Sequence, residues 1–188
     1  MKDKEYRQTL LMTKWAGLSG TAALARDREG ELEREFAKAF IREAAAFEGE
    51  LSAKEDIALL EAAAGFGISY MKELGEEGVF GGLWELGEEM ETALEVRLKD
   101  IPIRQHTVEL CNFFDINPYS FPSEGSILLA CDRGWELMHF LQGRGLSAAV
   151  IGYLTDGNDR VILYEDKERF LEPTRQSRLR RQGRYEEL

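Results

Sequence analysis

Residues 126–131 read Ser-Ile-Leu-Leu-Ala-Cys, a nearly continuous apolar run between two polar turns. Such a run has no polar face to turn toward water, so it is typical of a strand that is covered on both faces. A strand of this kind needs other strands at its edges and packed elements above and below it. The chain is therefore constrained to a layered fold, with residues 126–131 as a buried strand of its sheet.

Other segments also have strand character. Residues 9–13 form a short apolar run, and residues 93–98 alternate apolar and charged side chains, which is typical of a half-buried strand. Residues 148–154 and 160–164 are two further apolar segments. The turn residues at 156–159, Asp-Gly-Asn-Asp, join them with the chemistry of a β-hairpin, so we expect these two strands to pair with each other.

The segments between the predicted strands have the residue patterns of helices. Residues 22–47 are predicted to be helical, with Gly30 dividing the run in two and Ser19 or Thr21 capping its start. Residues 52–55 have the spacing of a capping box, and the helix that follows should end near Gly65 and Gly67. Further helices are predicted after a loop over 72–78, over 104–114 with Val108, Cys111 and Phe114 buried, and over 133–141 with Trp135, Met138 and Leu141 buried.

These patterns predict an α+β fold, a central mixed β-sheet with packed helices. A chain of 188 residues is long enough for one domain with a sizeable core. We assign residues 1–173 to that domain. Residues 174–188 contain five arginines and few apolar side chains, so we expect them to form a basic, flexible tail.

The charge and hydropathy of the chain exclude some classes of binding partner. The chain has 24 Lys and Arg against 35 Asp and Glu, a formal net charge of −11, so it should repel phosphate backbones and we expect no nucleic-acid partner. No apolar run approaches the roughly 18 residues of a membrane span, and the first residues do not predict a signal peptide. We therefore expect no membrane partner and a cytoplasmic location.

The glycine-rich stretch from Gly75 to Gly82 is the most suggestive motif. A glycine-rich loop that opens a helix can present free N–H groups to a phosphate, and Lys72 would add a positive charge. Glu73, Glu76 and Glu77 occupy the same loop and would repel a phosphate unless Mg²⁺ intervened. On residue types alone, a structural turn is the favoured interpretation. The chain has no P-loop, GxSxG, HExxH or Rossmann fingerprint.

Other polar and sulfur-containing residues leave alternatives open. His106 and His139 have no nucleophile or orienting carboxylate in an adjacent motif, which favours structural roles. Residues 123–126, Ser-Glu-Gly-Ser, are either a small anion nest or the turn that leads into the buried strand. Cys111 and Cys131 do not form a CxxC pair, so we predict no metal site and interpret both as buried free thiols, with a disulfide between them as the alternative.

Taken together, several segments resemble the C-terminal domain of the aminoimidazole ribonucleotide (AIR) synthase superfamily, and in particular AIR-synthase-related proteins similar to the dehydratase of hydrogenase maturation. The resemblance extends from about Thr9 to Pro173, in family order. The matching segments are residues 12–21, 78–86, 101–105, 116–119, 125–130, 149–152 and 171–173.

The resemblance implies ATP-dependent chemistry, in which an amide-type oxygen is activated by phosphoryl transfer. Full-length members have an N-terminal domain that carries most of the Mg-ATP-binding acidic residues and the main dimer interface. By this resemblance, the chain would begin where that domain ends. Relatives usually read His-Asp-Val-Thr-Glu-Gly-Gly where this chain has residues 72–78, Lys-Glu-Leu-Gly-Glu-Glu-Gly, so only Glu76 and Gly78 are retained. The chain also lacks the dehydratase's reactive cysteine tail, so that specific activity is not implied.

The resulting hypothesis is a stand-alone domain that is not active by itself and that acts as a binding or regulatory subunit, paired with a second copy or with a separate ATP-binding-domain protein. Its interface is expected near residues 9–15. The alternatives are one half of a split ATP-dependent synthase or dehydratase, and a small-ligand sensor. Mg-ATP is expected only if a partner domain completes the site, and no catalytic residue is assigned. The cofactor-binding candidates are Thr13, Lys14, Lys72, Glu73, Glu76 and Gly78.

Overall fold

The computed structural model describes residues 6–165 and 167–173. Its strands are β1 Tyr6–Thr13, β2 Ile68–Glu73, β3 Ala93–Arg97, β4 Ile127–Cys131, β5 Ala148–Thr155, β6 Arg160–Tyr164 and β7 Lys167–Phe170. Its helices are α1 Leu18–Asp27, α2 Glu29–Leu32, α3 Lys38–Ala45, α4 Lys54–Ala62, α5 Gly78–Glu89, α6 Gln105–Phe113 and α7 Gly134–Gln142. Short 3₁₀ turns lie at Ala46–Glu50, Ala64–Phe66, Leu98–Asp100 and Pro118–Ser120.

The described strands form one sheet in the order β2-β4-β1-β5-β3-β6-β7. Neighbouring strands are antiparallel except for β3 and β6, which run parallel. The sheet is therefore mixed, and helices pack against it. The predicted α+β class with a central mixed sheet is confirmed.

Strand β4 has the double-sided burial that its sequence predicts. All five of its side chains are fully buried. Leu128 and Ala130 pack into the core on one face of the sheet, and Ile127, Leu129 and Cys131 pack into the core on the other. A helix layer covers each face, so the absence of a polar face in residues 126–131 has a direct structural cause.

Three groups of helices surround the sheet. Helix α5 contributes Val79, Leu83 and Leu86 to the core on one face. Helices α4 and α7 contribute to the core on the opposite face. Helices α1, α3 and α6 pack around a separate apolar cluster, which makes a helical lobe beside the sheet. Within residues 6–165 and 167–173, none of the helices combines the length and apolar character of a membrane span.

The predicted hairpin between residues 148–154 and 160–164 is wrong. Strand β3 lies between β5 and β6, antiparallel to the first and parallel to the second. The loop at residues 156–159 reverses the chain direction but spans the roughly 10 Å across one intervening strand. The turn residues determine only that the chain reverses its direction. Which strands pair is decided by burial, and here the buried strand β3 takes the place between β5 and β6.

Strand β1 also differs from its predicted role. Residues 9–15 were expected to form part of an exposed partner interface, but β1 lies inside the sheet between β4 and β5. Leu10, Leu11, Met12 and Thr13 are fully buried. Residues 9–13 of this strand therefore present no surface to a partner.

The helical segment after β1 is divided differently from the prediction. Its breaks lie at Arg28 and at residues 33–37, and Gly30 is inside α2. Neither Ser19 nor Thr21 is the N-cap of α1, because that position is Gly17, which has a φ of 71°. A Cβ on Gly17 would lie 2.5 Å from a methyl carbon of Thr107, so contact with α6 requires glycine here.

The predicted capping box at residues 52–55 is wrong, because the N-cap of α4 is Ala53 and no side chain caps it. Instead, the carbonyl of Ser52 accepts a hydrogen bond from Lys14. The end of α4 agrees with the prediction, since Gly67 follows it with a φ of 73°.

Helices α6 and α7 bury Cys111 and Leu141 as predicted, but the rest of their buried residues differ from the prediction. Helix α6 buries Thr107, Leu110 and Cys111, and α7 buries Gly134, Leu137 and Leu141. Trp135, which was predicted to be buried, is 54% exposed. The cause is Gly134, which packs directly against Thr9 of β1 and leaves the next residue on the solvent side.

Candidate functional site

A cleft of about 750 Å³ opens between the start of α5, the turn at Pro118–Ser120 and the last two strands. Its apolar lining is rich in aromatic residues: Phe80, Leu98, Tyr119, Ile162, Tyr164, Phe170 and Leu171. Its charged lining consists of Glu76, Glu77, Arg169 and Glu172. We call this the aromatic cleft.

Four aromatic side chains line the cleft. The rings of Phe80 and Tyr119 are stacked, with centroids 5.4 Å apart and planes 21° apart. Burial, together with the nearby hydroxyl of Tyr164, raises the pKa of Tyr119 above its ordinary value, so its hydroxyl remains neutral at physiological pH. Tyr164 and Phe170 line the same cleft and are 46% and 68% exposed. These residues belong to β6 and β7, and the sequence analysis did not identify β7 as a strand.

Lys72 lies outside the aromatic cleft. Strand β2 continues through Glu73, so Lys72 is on a strand rather than in the predicted loop. Its ammonium group lies 2.7 Å from a carboxylate oxygen of Glu89 and 3.1 Å from one of Glu85, both on α5. Burial lowers the pKa of Lys72, but these hydrogen bonds outweigh it and raise the pKa above its ordinary value. Lys72 is therefore a cation with two carboxylate partners.

Glu73 and Thr13 both meet the turn at residues 123–127. A carboxylate oxygen of Glu73 accepts the N–H of Gly125 at 2.9 Å, and the hydroxyl of Thr13 accepts the N–H of Ile127 at 2.9 Å. The remaining N–H groups of the turn also have acceptors: Ser123 bonds to Gly75 O, Glu124 to Ser19 Oγ and Ser126 to Ser123 O. All five N–H groups are satisfied within the protein, which supports the structural-turn interpretation over the anion nest.

Lys14 lies at the end of β1 in a left-handed conformation, with a φ of 53°. Its ammonium group donates to the carbonyls of Glu50 and Ser52 at 2.8 and 2.9 Å. It also lies 2.7 Å from a carboxylate oxygen of Asp56. Lys14 thus fastens the start of α4 and the segment before it to the end of β1.

Glu76 and Gly78 lie at the start of α5. Glu76 is exposed and lines the aromatic cleft. Gly78 has a φ of 62°, and a Cβ at this position would lie 2.5 Å from the carbonyl oxygen of Phe121. The glycine is required by close packing of two backbone segments, whatever ligand the cleft accepts.

The structure therefore separates most of the six predicted cofactor-binding residues. Thr13 and Glu73 meet at the turn over 123–127, whereas Glu76 and Gly78 lie at the start of α5. Lys14 and Lys72 each have their own carboxylate partners elsewhere. Their assignment to a cofactor stays a prediction.

A second cleft, of about 490 Å³, lies beside Lys14. Here the guanidinium of Arg104 forms a two-point ion pair with Glu50, at 2.7 and 2.9 Å. Its charged carbon lies over the rings of Trp15 and Phe47, 4.9 and 4.4 Å from their centroids. Sequence reasoning missed this cluster because its members are far apart in the chain.

The sulfur and imidazole groups have structural surroundings. Cys111 and Cys131 are buried free thiols, as predicted, and burial raises the pKa of each to about 11. His106 stacks on Phe40, with centroids 4.3 Å apart, and contacts Glu43 at 3.2 Å. Among the described residues, no group of three or more His, Cys, Asp or Glu side chains is arranged to hold a metal ion.

Comparison with known proteins identifies the family. Residues 8–165 match the model of the C-terminal domain of AIR synthase related proteins. The chain belongs to this family. The predicted resemblance is confirmed. The match covers most of the residues that the structure describes.

Solved structures share the fold of this AIR synthase related domain. The Escherichia coli hydrogenase maturation protein HypE matches with a TM-score of 0.72 and 16% identity, over 91% of this chain and 51% of HypE. HypE in complex with ATP matches with a TM-score of 0.64 and 15% identity, over 90% of this chain and 51% of that one. Thiamine monophosphate kinase from Aquifex aeolicus matches with a TM-score of 0.60 and 13% identity, over 88% and 52%.

The chain therefore spans about half the length of the solved structures that it matches. At these identities the likeness shows the fold alone. No curated protein sequence is significantly similar to the chain.

Proposed function

We propose that this AIR synthase related domain is a binding or regulatory subunit without catalysis of its own, and that it pairs with a second copy or a separate partner. The observation that carries the proposal is the internal engagement of the groups that would hold a phosphate. Lys14 and Lys72, the two candidate cations, each have carboxylate partners within 3.1 Å. A nucleotide phosphate would have to displace these contacts before either lysine reached it.

The backbone supports the same conclusion. Phosphate loops bind through N–H groups that have no acceptor of their own. In the turn at residues 123–127, each N–H already donates to a protein oxygen. A phosphate at this turn would compete with five formed hydrogen bonds, one of them to the carboxylate of Glu73.

The charge of the aromatic cleft also disfavours nucleotide binding by the domain alone. Three of its charged lining residues are glutamates and one is an arginine. Negative potential in a cleft disfavours a polyanion such as ATP, because the like charges repel one another at short range. A domain with this cleft needs a separate source of positive charge, such as a metal ion or a partner protein, before it could hold a nucleotide.

The pairing part of the proposal draws on the relatives. One of the matched structures is a complex of HypE with HypF, which shares this fold with a TM-score of 0.64 and 14% identity, over 90% of this chain and 54% of that one. A protein with this fold can therefore be part of a larger assembly. The cytoplasmic location and the lack of a nucleic-acid partner are part of the same proposal.

The test is the assembly state of the full chain. Sedimentation velocity of the purified protein, combined with affinity purification of a tagged chain from its native extract, should reveal either a dimer or a partner recovered in a fixed ratio. A partner with an ATP-binding domain would identify the heteromeric form. A strictly monomeric chain with no stoichiometric partner would overturn the proposal.

The second candidate is one half of a split ATP-dependent synthase or dehydratase. It is favoured by the position of the aromatic cleft, which opens at Glu76 beside the start of α5, the segment aligned with the family motif. In this proposal the six predicted residues contribute to a Mg-ATP site that a partner domain completes. If the assembled complex turns over ATP, and turnover survives Lys72→Ala combined with Glu76→Ala, this assignment is wrong.

A further inference from the structure

The aromatic cleft has a chemical character of its own, apart from any nucleotide. Aromatic side chains are normally buried, yet Phe170 and Tyr164 are 68% and 46% exposed on its wall. The same cleft is lined by the stacked, half-buried rings of Phe80 and Tyr119. Two exposed and two half-buried rings on the lining of a cleft of about 750 Å³ form a surface of the size and apolarity that small-molecule sites have.

The charged side chains on the cleft lining indicate which charge a ligand should carry. Glu76, Glu77 and Glu172 are acidic and Arg169 is basic. The faces of aromatic rings carry negative electrostatic potential and attract cations within about 6 Å of the ring centre. Carboxylates and ring faces therefore act in the same direction, and both favour a positively charged ligand.

We propose that the aromatic cleft binds an organic cation, an amine or guanidinium carried on an apolar or aromatic body. The ligand packs against the ring pair of Phe80 and Tyr119 and against the exposed rings of Tyr164 and Phe170. The charged group lies toward the exposed carboxylate of Glu76. This assignment is independent of the proposed pairing, because it concerns a ligand of the folded domain whether or not a partner is present.

A set of three isosteric probes tests the charge preference. Benzamidine, benzamide and benzoate have the same ring and nearly the same shape, but carry a positive, a neutral and a negative group. Titration of the full chain, followed by NMR amide shifts, should give at least tenfold tighter binding for benzamidine than for benzamide, with no binding of benzoate. The shifts should fall on residues 76–80, 117–120 and 162–172. Equal affinity for the amidine and the amide would overturn the proposal.

Substitutions of opposite charge supply a stricter test. Glu76→Gln should weaken benzamidine binding by about threefold to fivefold, the scale of an exposed ion pair. Arg169→Gln should strengthen binding by a similar factor, because it removes the cation that repels the ligand. Damage to the fold cannot produce this gain. The matched control is Glu61→Gln on α4, which packs on the other face of the sheet and should leave the affinity unchanged.

The ring contribution is tested with Phe170→Leu, which keeps an apolar side chain and removes the aromatic face. Since Phe170 is largely exposed, the fold should tolerate the change. Benzamidine should lose affinity by more than benzamide does. Equal losses for the two probes would contradict a cation–ring contact.

The cation has two sources that the same titration distinguishes. The described chain ends at Leu171–Pro173 on the cleft lining, and residues 174–188 contain five arginines. Replacement of these arginines with serine in the full chain should strengthen benzamidine binding if the chain's own guanidinium groups compete for the cleft. Unchanged affinity would exclude the chain's own arginines as competitors and leave a free or partner-borne cation as the source. The cation assignment itself is tested by the comparison of benzamidine with benzamide.

Discussion

At the scale of single residues, Gly78 shows how packing determines residue identity in the motif loop. Its left-handed φ of 62° and its contact with the backbone at Phe121 exclude a side chain. Gly78→Ala should therefore lower the free energy of unfolding by at least about 1 kcal/mol, measured by urea denaturation.

Gly75 provides the matched control in the same loop. A Cβ at Gly75 would have no neighbour within 4 Å, and its φ is not positive. Gly75→Ala should leave stability unchanged or raise it by up to about 1 kcal/mol, because alanine restricts the unfolded chain. Equal losses for the two variants would contradict the packing explanation for Gly78.

The buried thiols predict a pH dependence of stability. Burial raises the pKa of Cys111 and Cys131 to about 11, against an ordinary value of 9.0, so the folded state keeps these protons to higher pH than the unfolded state does. The stabilisation is complete below pH 9 and is lost as the pH rises through 11. At pH 10, each thiol should reduce the free energy of unfolding by about 1 kcal/mol relative to pH 8.

Urea denaturation at the two pH values measures this loss. The double variant Cys111→Ala with Cys131→Ala is the control, since it should show a shallower decrease between pH 8 and pH 10 whatever its absolute stability. An identical decrease in both proteins would show that the thiols do not contribute.

Residue type in the sequence predicted which side chains are buried better than it predicted which side chains contact one another. The apolar surroundings of Cys111 and Cys131 in the sequence predicted free buried thiols correctly. The partners of Lys14 and Lys72 could not be predicted, because Asp56 and Glu89 lie 42 and 17 residues further along the chain. A lysine beside a glycine-rich loop has the same local sequence whether its partner is a phosphate or a distant carboxylate.

At the scale of secondary structure elements, Lys14 connects β1 to the segment before α4. Its side chain and that of Asp56 are 13% and 15% exposed, and it also satisfies two backbone carbonyls. Lys14→Met retains the length and the backbone conformation but leaves the carboxylate and both carbonyls without their donor. We expect a loss of at least about 2 kcal/mol in the free energy of unfolding by urea denaturation.

Lys38→Met is the control for this prediction. Lys38 also has a carboxylate partner, Glu33 at 3.0 Å, but its side chain is 74% exposed. Its replacement should change stability by less than about 0.5 kcal/mol. If Lys14→Met were equally mild, the ion pair and the two carbonyl contacts would not fasten the elements as described.

The elements themselves were predictable where burial leaves a strong pattern. Strand β4 was predicted because it is buried on both faces. Strand β3 was located by its alternating sequence, but it is not half-buried as predicted, because Glu95 is buried together with its apolar neighbours. Strand β7 was missed because all four of its side chains are exposed, so it has no apolar period to detect. The β5–β6 hairpin was wrong because a turn sequence contains no information about a strand that inserts from elsewhere in the chain.

At the scale of the whole molecule, a family resemblance carried more information than any local pattern. The series of short segments from Thr9 to Pro173 predicted the family, and the family model matches residues 8–165. No single segment fixes the strand order, which depends on pairings between residues more than 100 positions apart, such as Thr9 with Cys131. The aromatic cleft was not predicted, because the start of α5 and strand β7 are far apart in the sequence and come to line the same cleft only in the folded protein.

We propose that this AIR synthase related domain has no nucleotide site of its own. The most direct test is a calorimetric titration of the purified chain with Mg²⁺ and a non-hydrolysable ATP analogue. We expect no heat of binding up to millimolar analogue, because the candidate lysines and the turn N–H groups are already engaged within the protein. Micromolar binding that disappears in Lys72→Ala or Glu76→Ala, and persists in Glu61→Gln, would contradict the proposal.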